Sequence, residues 1–380
     1  MSSSHAILLV FVWLCSRAAF AYGPAGHEIV GGIADKLLAN TAAGRRVASM
    51  IDGMKLGKAA LVADEIKAWD IAGADDPSAF PQYSAHPEID KQLRDFWRAN
   101  QPTHNRGSQM PSHHWFHYTD VPMLNPHKYA DGKIGRHRWD IVHMIRYCVG
   151  VLHSEIPEDN ARKITKPVAV ILLAHYVADI HQPLHVGAMY FDESGRAVDP
   201  DRGDKGIEDD GGNTIMLRLN HGTIEELTKR GLKLHGFWDN EAVLANLQPL
   251  PITMSTEERG QAMERAKHRL MNQLTREQPP SWRLPANVPL KNCAEDWADE
   301  ILPVAREAHE RLKFVNVHPQ REQDRTVSAG TALEKAAPDG MSYTDWAAKI
   351  VRSEMHKAGW RLADLLSQVL TSAPLDTGAE

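Results

Sequence analysis

Residues 175–185 read HYVADIHQPLH and residues 234–239 read LHGFWD. In each stretch a histidine is followed four positions later by an aspartate, His175 with Asp179 and His235 with Asp239. On a helix that spacing puts both side chains on one face. His185 adds a further imidazole at the end of the first stretch. Imidazoles and carboxylates converging from two helices are the ligand set of a catalytic zinc site, so the chemistry to expect is that of a metalloenzyme. The first stretch also decides the fold class. It ends the run PVAVILLAHYVADI at residues 167–180, where Val168, Ile171, Leu172, His175 and Asp179 share one helical face. A carboxylate buried there without a partner would cost several kcal/mol, so the pair is expected to point inward at a ligand.

Helical periodicity continues on both sides. Residues 27–40, 137–153, 258–277, 293–314 and 343–370 carry apolar residues at helical spacing, and Pro167 suits a first helical turn. Alternating strand patterns are scarce; residues 213–219, NTIMLRL, could make a short hairpin arm. No internal repeat and no linker-like stretch divides the chain. The expectation is an all-α fold, a single mainly helical domain over residues 22–380 with loop insertions near 71–113 and 192–212. A short helix is expected near 88–99 inside the first insertion. The second, rich in Asp and Gly, lacks EF-hand spacing and reads as a solvated acidic loop. Residues 317–342 read as an irregular polar connection.

A net charge of −6 leaves no broad basic surface for nucleic acid, so a phosphate substrate would have to be held locally, by metals or a few cations. Residues 6–15, AILLVFVWLC, are too short for a stable anchor and lead into Ala-Phe-Ala ending at Ala21, the small-x-small form of a signal-peptidase site. Residues 1–21 are therefore expected to be a removed signal peptide, with the mature protein secreted or periplasmic, a monomer, and without a membrane span. Of the three cysteines, Cys15 leaves with the signal; Cys148 and Cys293 could pair or could be two buried thiols.

Cleavage after Ala21 would expose Tyr22, five residues before His27. A free α-amine has a pKa of roughly 7.7–8, which a zinc ion readily displaces, so this terminus could chelate through its backbone while His27 adds a nitrogen. Asp64 in VADEIK and His117 in HYTD are further candidates.

Together these segments resemble the zinc-dependent single-strand nucleases and 3′-nucleotidases, the class I nucleases of the phospholipase C/P-one nuclease fold. The motifs that carry the resemblance are YGPAGH (22–27), VADEIK (62–67), HYTD (117–120), HYVADIHQPLHVG (175–187), DDGGN (209–213), LHGFWD (234–239) and AGWRLADLL (358–366). The resemblance implies a mainly helical fold and three Zn2+ ions. Asp64, His117, His175 and Asp179 would hold the first, and His185, His235 and Asp239 the second. Tyr22 through its backbone, His27 and a second oxygen of Asp179 would hold the third. It implies hydrolysis of 3′-O–P bonds in single-stranded RNA or DNA, or in 3′-nucleotides, by a metal-activated hydroxide, with Asp64 and Lys67 at the catalytic centre. Tyr118 would stack a base, Asp120 would bond the base edge, and Asn213 would contact the substrate.

Each of the less specific positions has a plainer reading. Lys67 could be a surface lysine, Tyr118 a packing ring, and Asn213 a turn residue. Lys67 also stands where the family usually has Arg, and lysine cannot make a bidentate fork. Tyr22 and Val62 stand where the family often has Trp. Two rivals are a zinc-dependent phospholipase C and a non-catalytic secreted zinc-binding protein. Asp239 and the closeness of His27 to Tyr22 favour the nuclease branch over the first, and the complete ligand set argues against the second.

Overall fold

The computed structural model describes residues 22–73, 83, 85–102, 112–220, 232–247, 254–283, 288–322 and 325–372. Helices α1 (Pro24–Leu38), α2 (Ala42–Met50), α3 (Leu56–Glu65), α4 (Pro87–Ala99), α5 (Ile141–Leu152), α6 (Lys166–Asp179), α7 (Thr256–Leu274), α8 (Cys293–Glu310) and α9 (Tyr343–Ser372) make up most of it. Shorter helical turns and strands β1 (Val121–Pro122), β2 (Gly187–Ala188), β3 (Tyr190–Phe191), β4 (Ala197–Val198), β5 (Ile207–Glu208), β6 (Ile215–Arg218), β7 (Leu312–Glu322) and β8 (Arg325–Glu334) fill the rest. The protein is mainly helical, as the sequence predicts.

Helix α6 is the axis of the molecule. Thr165 caps it by accepting from Val168 N, and every residue from Val168 to Asp179 is buried. The expected single apolar face is thus corrected: the helix is apolar all round, as a core helix must be. It packs against α1, α3, α5 and α9. Close approach of α1 to α3 requires Gly31, where a Cβ would sit 2.4 Å from Leu56 O. Asp35 of α1 then accepts from Leu56 N and Gly57 N, both at 3.1 Å, and satisfies the amides that begin α3. Of the carboxylate ligands named above, Asp64 and Asp179 lie at or near the C-terminal ends of α3 and α6.

Three expectations are corrected outside the helices. Residues 317–342 are not an irregular connection: β7 and β8 form a long antiparallel hairpin across most of them. Val327, Ala329 and Ala332 of β8 turn inward while β7 stays largely exposed, so the polar outer strand hid the pattern. The 213–219 arm is β6, whose ladder runs parallel to β8, from Ile215 opposite Gly330 to Arg218 opposite Leu333. An isolated antiparallel bridge joins Met216 to Lys233, and the sheet order is β6-β8-β7. The 192–212 insertion is not merely a solvated loop. β4 and β5 flank β3 in a three-stranded sheet, and Asp199 and Asp209 are buried among hydrogen-bond partners.

Cys148 and Cys293 are two free, buried thiols, so no disulfide joins them. Burial pushes both thiols up, Cys293 to about 12. The expected signal peptide, residues 1–21, lies outside the described residues, as do residues 74–82, 84 and 103–111 of the first insertion. The short helix expected there is α4. Among the described residues no helix is long and apolar enough to cross a membrane.

Candidate metal centre

Three buried groups of candidate ligands meet where α1, α3, α6 and the 234–244 segment converge: His27 with Asp64 and His175, His117 with His175 and Asp179, and His185 with His235 and Asp239. Eight of the nine residues expected to bind metal are in these groups. The ninth, Tyr22, precedes α1. Its ring is fully buried, its hydroxyl donates to His181 O at 2.7 Å, and burial, followed by Glu354 and Asp239, raises its pKa.

Backbone carbonyls fix the tautomers. Nδ1 of His175 donates to Ala60 O at 2.6 Å, Nδ1 of His185 to His117 O at 2.7 Å, and Nδ1 of His235 to Gly211 O at 2.8 Å. In its neutral form each ring offers its Nε2 lone pair to the site, with the outer Nδ1 bond that metal-binding histidines usually make. Nε2 of His185 and Nε2 of His235 face each other at 3.1 Å, and Asp239 Oδ2 lies 3.4 Å from the latter. In the neighbouring group, His175 Nε2 is 3.1 Å and His117 Nδ1 3.0 Å from Asp179 Oδ2, with Asp64 Oδ1 3.8 and 3.9 Å away from the two rings. His27 stacks on His175 with ring centroids 4.0 Å apart, and its Nε2 lies 3.3 Å from Asp179 Oδ1.

Several of these atoms are buried without a hydrogen-bond partner: both ring nitrogens of His27, Nε2 of His117, Oδ1 of Asp179 and Oδ2 of Asp239. An unsatisfied buried polar atom costs about 1–3 kcal/mol, and more when charged. Burial also lowers the pKa of His27, His185 and His235, the last to about 3, so protons do not fill the gaps between these rings. Burial and the nearby Asp64 and Asp179 push the Asp239 carboxyl well above its ordinary range, the Gln182 amide offsetting only part. Burial opposes the charge on Asp179 too, but the His175 ring and contacts with His117 outweigh it and hold that carboxyl low. Lone pairs and carboxylates facing one another in a buried cluster fit divalent cations of the zinc class.

The local sequence explains how the ligands are aimed. α6 ends at Asp179, and a 3-10 turn at Pro183–His185 brings His185 back toward His117. LHGFWD does not lie on an ordinary helix: a short turn at Leu234–Gly236 runs into a π-helical turn at Phe237–Glu241. Such widened turns recur at functional sites. The glycine pair of DDGGN is steric. Gly211 has φ 57°, and a Cβ on it would sit 2.4 Å from Leu184 O. Asp209 and Asp210 are braces, the first bonded to His309 Nε2 at 3.1 Å and the second held by the Arg325 guanidinium at 2.8 and 2.5 Å.

Residues outside the ligand set fall less simply. Lys67 is no free surface lysine, because its ammonium donates to Asp64 Oδ1 at 2.6 Å. Burial opposes ionisation of Asp64, but Lys67 and the surrounding imidazoles hold its carboxyl below the ordinary value. Tyr118 is half-buried beside His117, and its carbonyl accepts from Ile141 N at 3.3 Å. Asp120 is buried just before β1, its amide donating to Gly135 O. Asn213 donates its side-chain amide to Asp210 O at 3.0 Å, which is turn geometry.

Sequence reasoning missed two supports. Gln182 donates to Asp239 Oδ1 at 2.8 Å and takes Leu184 N on its own carbonyl at 2.5 Å. Arg361, from AGWRLADLL, donates Nη1 to His181 Nε2 at 2.8 Å and Nε to Trp282 O at 2.9 Å, and it pairs with Glu300. The conspicuous Gln182 inside HYVADIHQPLH was a usable signal; the role of Arg361 had none short of the fold. A fourth His/Asp group, Asp70 with His113 and His114, was also overlooked.

Residues 22–371 match the S1/P1 nuclease family. "Endonuclease 4" of Arabidopsis thaliana is 23% identical over 279 residues, covering 70% of this chain and 76% of that protein. "Endonuclease 1" of the same plant is 32% identical over 87 residues, 23% of this chain and 20% of that protein. S1/P1 nucleases are metal-dependent and generally secreted, and the buried His/Asp groups suit the first of those properties. On the match to nearly its whole length, with a mainly helical core and converging His/Asp groups, the chain belongs to the S1/P1 nuclease family, hydrolases that act on nucleic acid.

Proposed function

We propose that the protein is a secreted, monomeric, trinuclear-zinc phosphoesterase that cleaves 3′-O–P bonds in single-stranded RNA or DNA and in 3′-nucleotides. The single observation that carries this reading is the lone-pair geometry. Three imidazoles anchored through Nδ1 and two orphaned carboxylate oxygens face a common buried space. Asp64, His117, His175 and Asp179 would hold one ion; His185, His235 and Asp239 a second; the Tyr22 backbone, His27 and Asp179 a third. Bound there, zinc would supply Lewis acidity to water and to phosphoryl oxygens. The family match begins at Tyr22, which supports export with cleavage after Ala21 and a single catalytic domain from 22 to 380.

The chain's own residues do the rest. Asp179 offers one oxygen to each side of the site, which explains a carboxylate at that position. Lys67 balances Asp64 and keeps it ionised. Tyr118 is half-buried and can give one ring face to an unstacked base, which favours single strands. Asp120 would read the base edge. Asn213, already committed to its turn, would act on substrate through the loop it shapes.

The test uses protein beginning at Tyr22 with single-stranded RNA, single-stranded DNA, 3′-AMP and phosphatidylcholine, each with chelator and with added zinc. Chelator-sensitive release from the nucleotidic substrates is the expected result. Cleavage of the lipid alone would move the protein to the phospholipase branch, and zinc binding without turnover would overturn the enzymatic reading.

A further inference from the structure

Asp70, His113 and His114 lie outside the ligand set just described, yet they repeat its layout. Asp64 and His117 come from two segments, one α3 with the helical turns that run on from it and the other a 3-10 turn at His113–His117. Asp70 follows Asp64 by six residues on the first, about 9 Å of helical rise, and His113 and His114 precede His117 on the second. Nε2 of His114 is 2.5 Å from Asp70 Oδ2, and Nε2 of His113 is 3.2 Å from Asp70 Oδ1. The two rings stand edge to face with centroids 4.6 Å apart, so both nitrogens converge on the carboxylate. Trp97 of α4 donates Nε1 to Asp70 Oδ1 at 2.7 Å, the outer bond that a ligating carboxylate usually receives. His113 is buried, with Nδ1 lacking a partner among the described residues, whereas His114 is 43% exposed and opens the group to solvent.

We propose that Asp70, His113 and His114 form an additional divalent-metal site, separate from the inner groups. Two imidazoles and one carboxylate select zinc or a similar borderline cation over calcium and magnesium, which prefer all-oxygen shells. Its place in the chain gives it a purpose. Asp70 stands just before the 71–113 insertion and the two histidines stand at its end, so one ion joins both ends of that stretch. A metal clip that closes a long loop removes conformational entropy from the unfolded chain. The exposed ligand makes this ion exchangeable, in contrast to the sealed inner groups. Nothing in the inference requires the inner groups to be catalytic.

Zinc content decides it, measured by mass spectrometry on zinc-saturated, desalted protein beginning at Tyr22, for the parent chain, His114→Ala, Asp70→Asn and Asp239→Asn. His114→Ala and Asp70→Asn are each expected to hold one zinc fewer than the parent. The rise in Tm on adding zinc to protein with its inner groups already filled should disappear in His114→Ala, while 3′-AMP turnover stays within about twofold. Unchanged zinc content with an unchanged zinc-dependent Tm in both variants would overturn the proposal and leave a plain hydrogen-bonded group. Asp239→Asn separates this outcome from the catalytic reading. If the inner groups do not bind zinc, that variant keeps its full content while His114→Ala still loses one.

Discussion

The inner groups and the Asp70 group use the same residue types and differ in what stands behind three of the five inner rings. His175, His185 and His235 each spend Nδ1 on a backbone carbonyl, at Ala60, His117 and Gly211. His113 and His114 show no such anchor; they are aimed by the carboxylate they face. Anchored rings are pre-organised before any ligand arrives, so little freedom is lost on binding. A ring held only by its partner ligand leaves when that partner leaves. On the proposed readings, the comparison separates a site built for chemistry, where a small displacement is costly, from one suited to a reversible cross-link.

The largest effect should come from the residue that both sides of the inner site share. Asp179→Asn removes a charge among three imidazoles, and turnover should fall more than about 100-fold, beyond what outer partners usually cost. Zinc content should fall with it; near-normal turnover at full zinc content would sink the shared-ligand role. Gln182→Ala removes an outer bond to Asp239 and the cap on Leu184 N, and a loss of about 10–100-fold in metal affinity is expected by competition with a chelator. No loss there would mean that backbone anchoring suffices.

Arg361→Ala tests the scaffold beneath the inner groups. It breaks a buried network with His181, Trp282 and Glu300, and chemical denaturation should show about 3 kcal/mol less stability. The pH dependence of chelated protein sharpens the contrast further. Burial lowers His235 to about 3 and His113 to about 4, so below the ordinary histidine value of about 6.5 the unfolded chain binds protons that these rings refuse. Stability should therefore decline as pH drops from about 6.5 toward 4, and bound zinc should shift that decline to lower pH. A Tm flat across that range would contradict neutral buried rings. The smallest effect on turnover is the one expected for His114→Ala.

How much of this was legible beforehand follows from the range of each signal. Helices α1, α4, α5, α6, α7, α8 and α9 fall within a few residues of their expected spans, because helical periodicity is local. The i, i+4 pairs are equally local, and they led to the clustered His and Asp residues. The parallel pairing of β6 with β8 joins segments more than a hundred residues apart, which no local pattern announces. Nor could spacing show that Asn213 spends its amide on Asp210, or that Lys67 is paired with Asp64. The Asp70 group stayed hidden for a different reason: the insertion places dozens of residues between its carboxylate and its histidines.

The turn at residues 209–213 has a consequence for the order of events as the protein forms. Gly211 anchors His235, but that turn is itself held by His309, Arg325 and a bond from Thr214 to the Ser328 carbonyl. These props lie in the last quarter of the polypeptide. The pocket formed by His185, His235 and Asp239 is therefore finished only after nearly all of the chain has emerged. Metal uptake there should be among the closing steps of maturation, a timing that keeps a hydrolytic centre silent until the protein is whole.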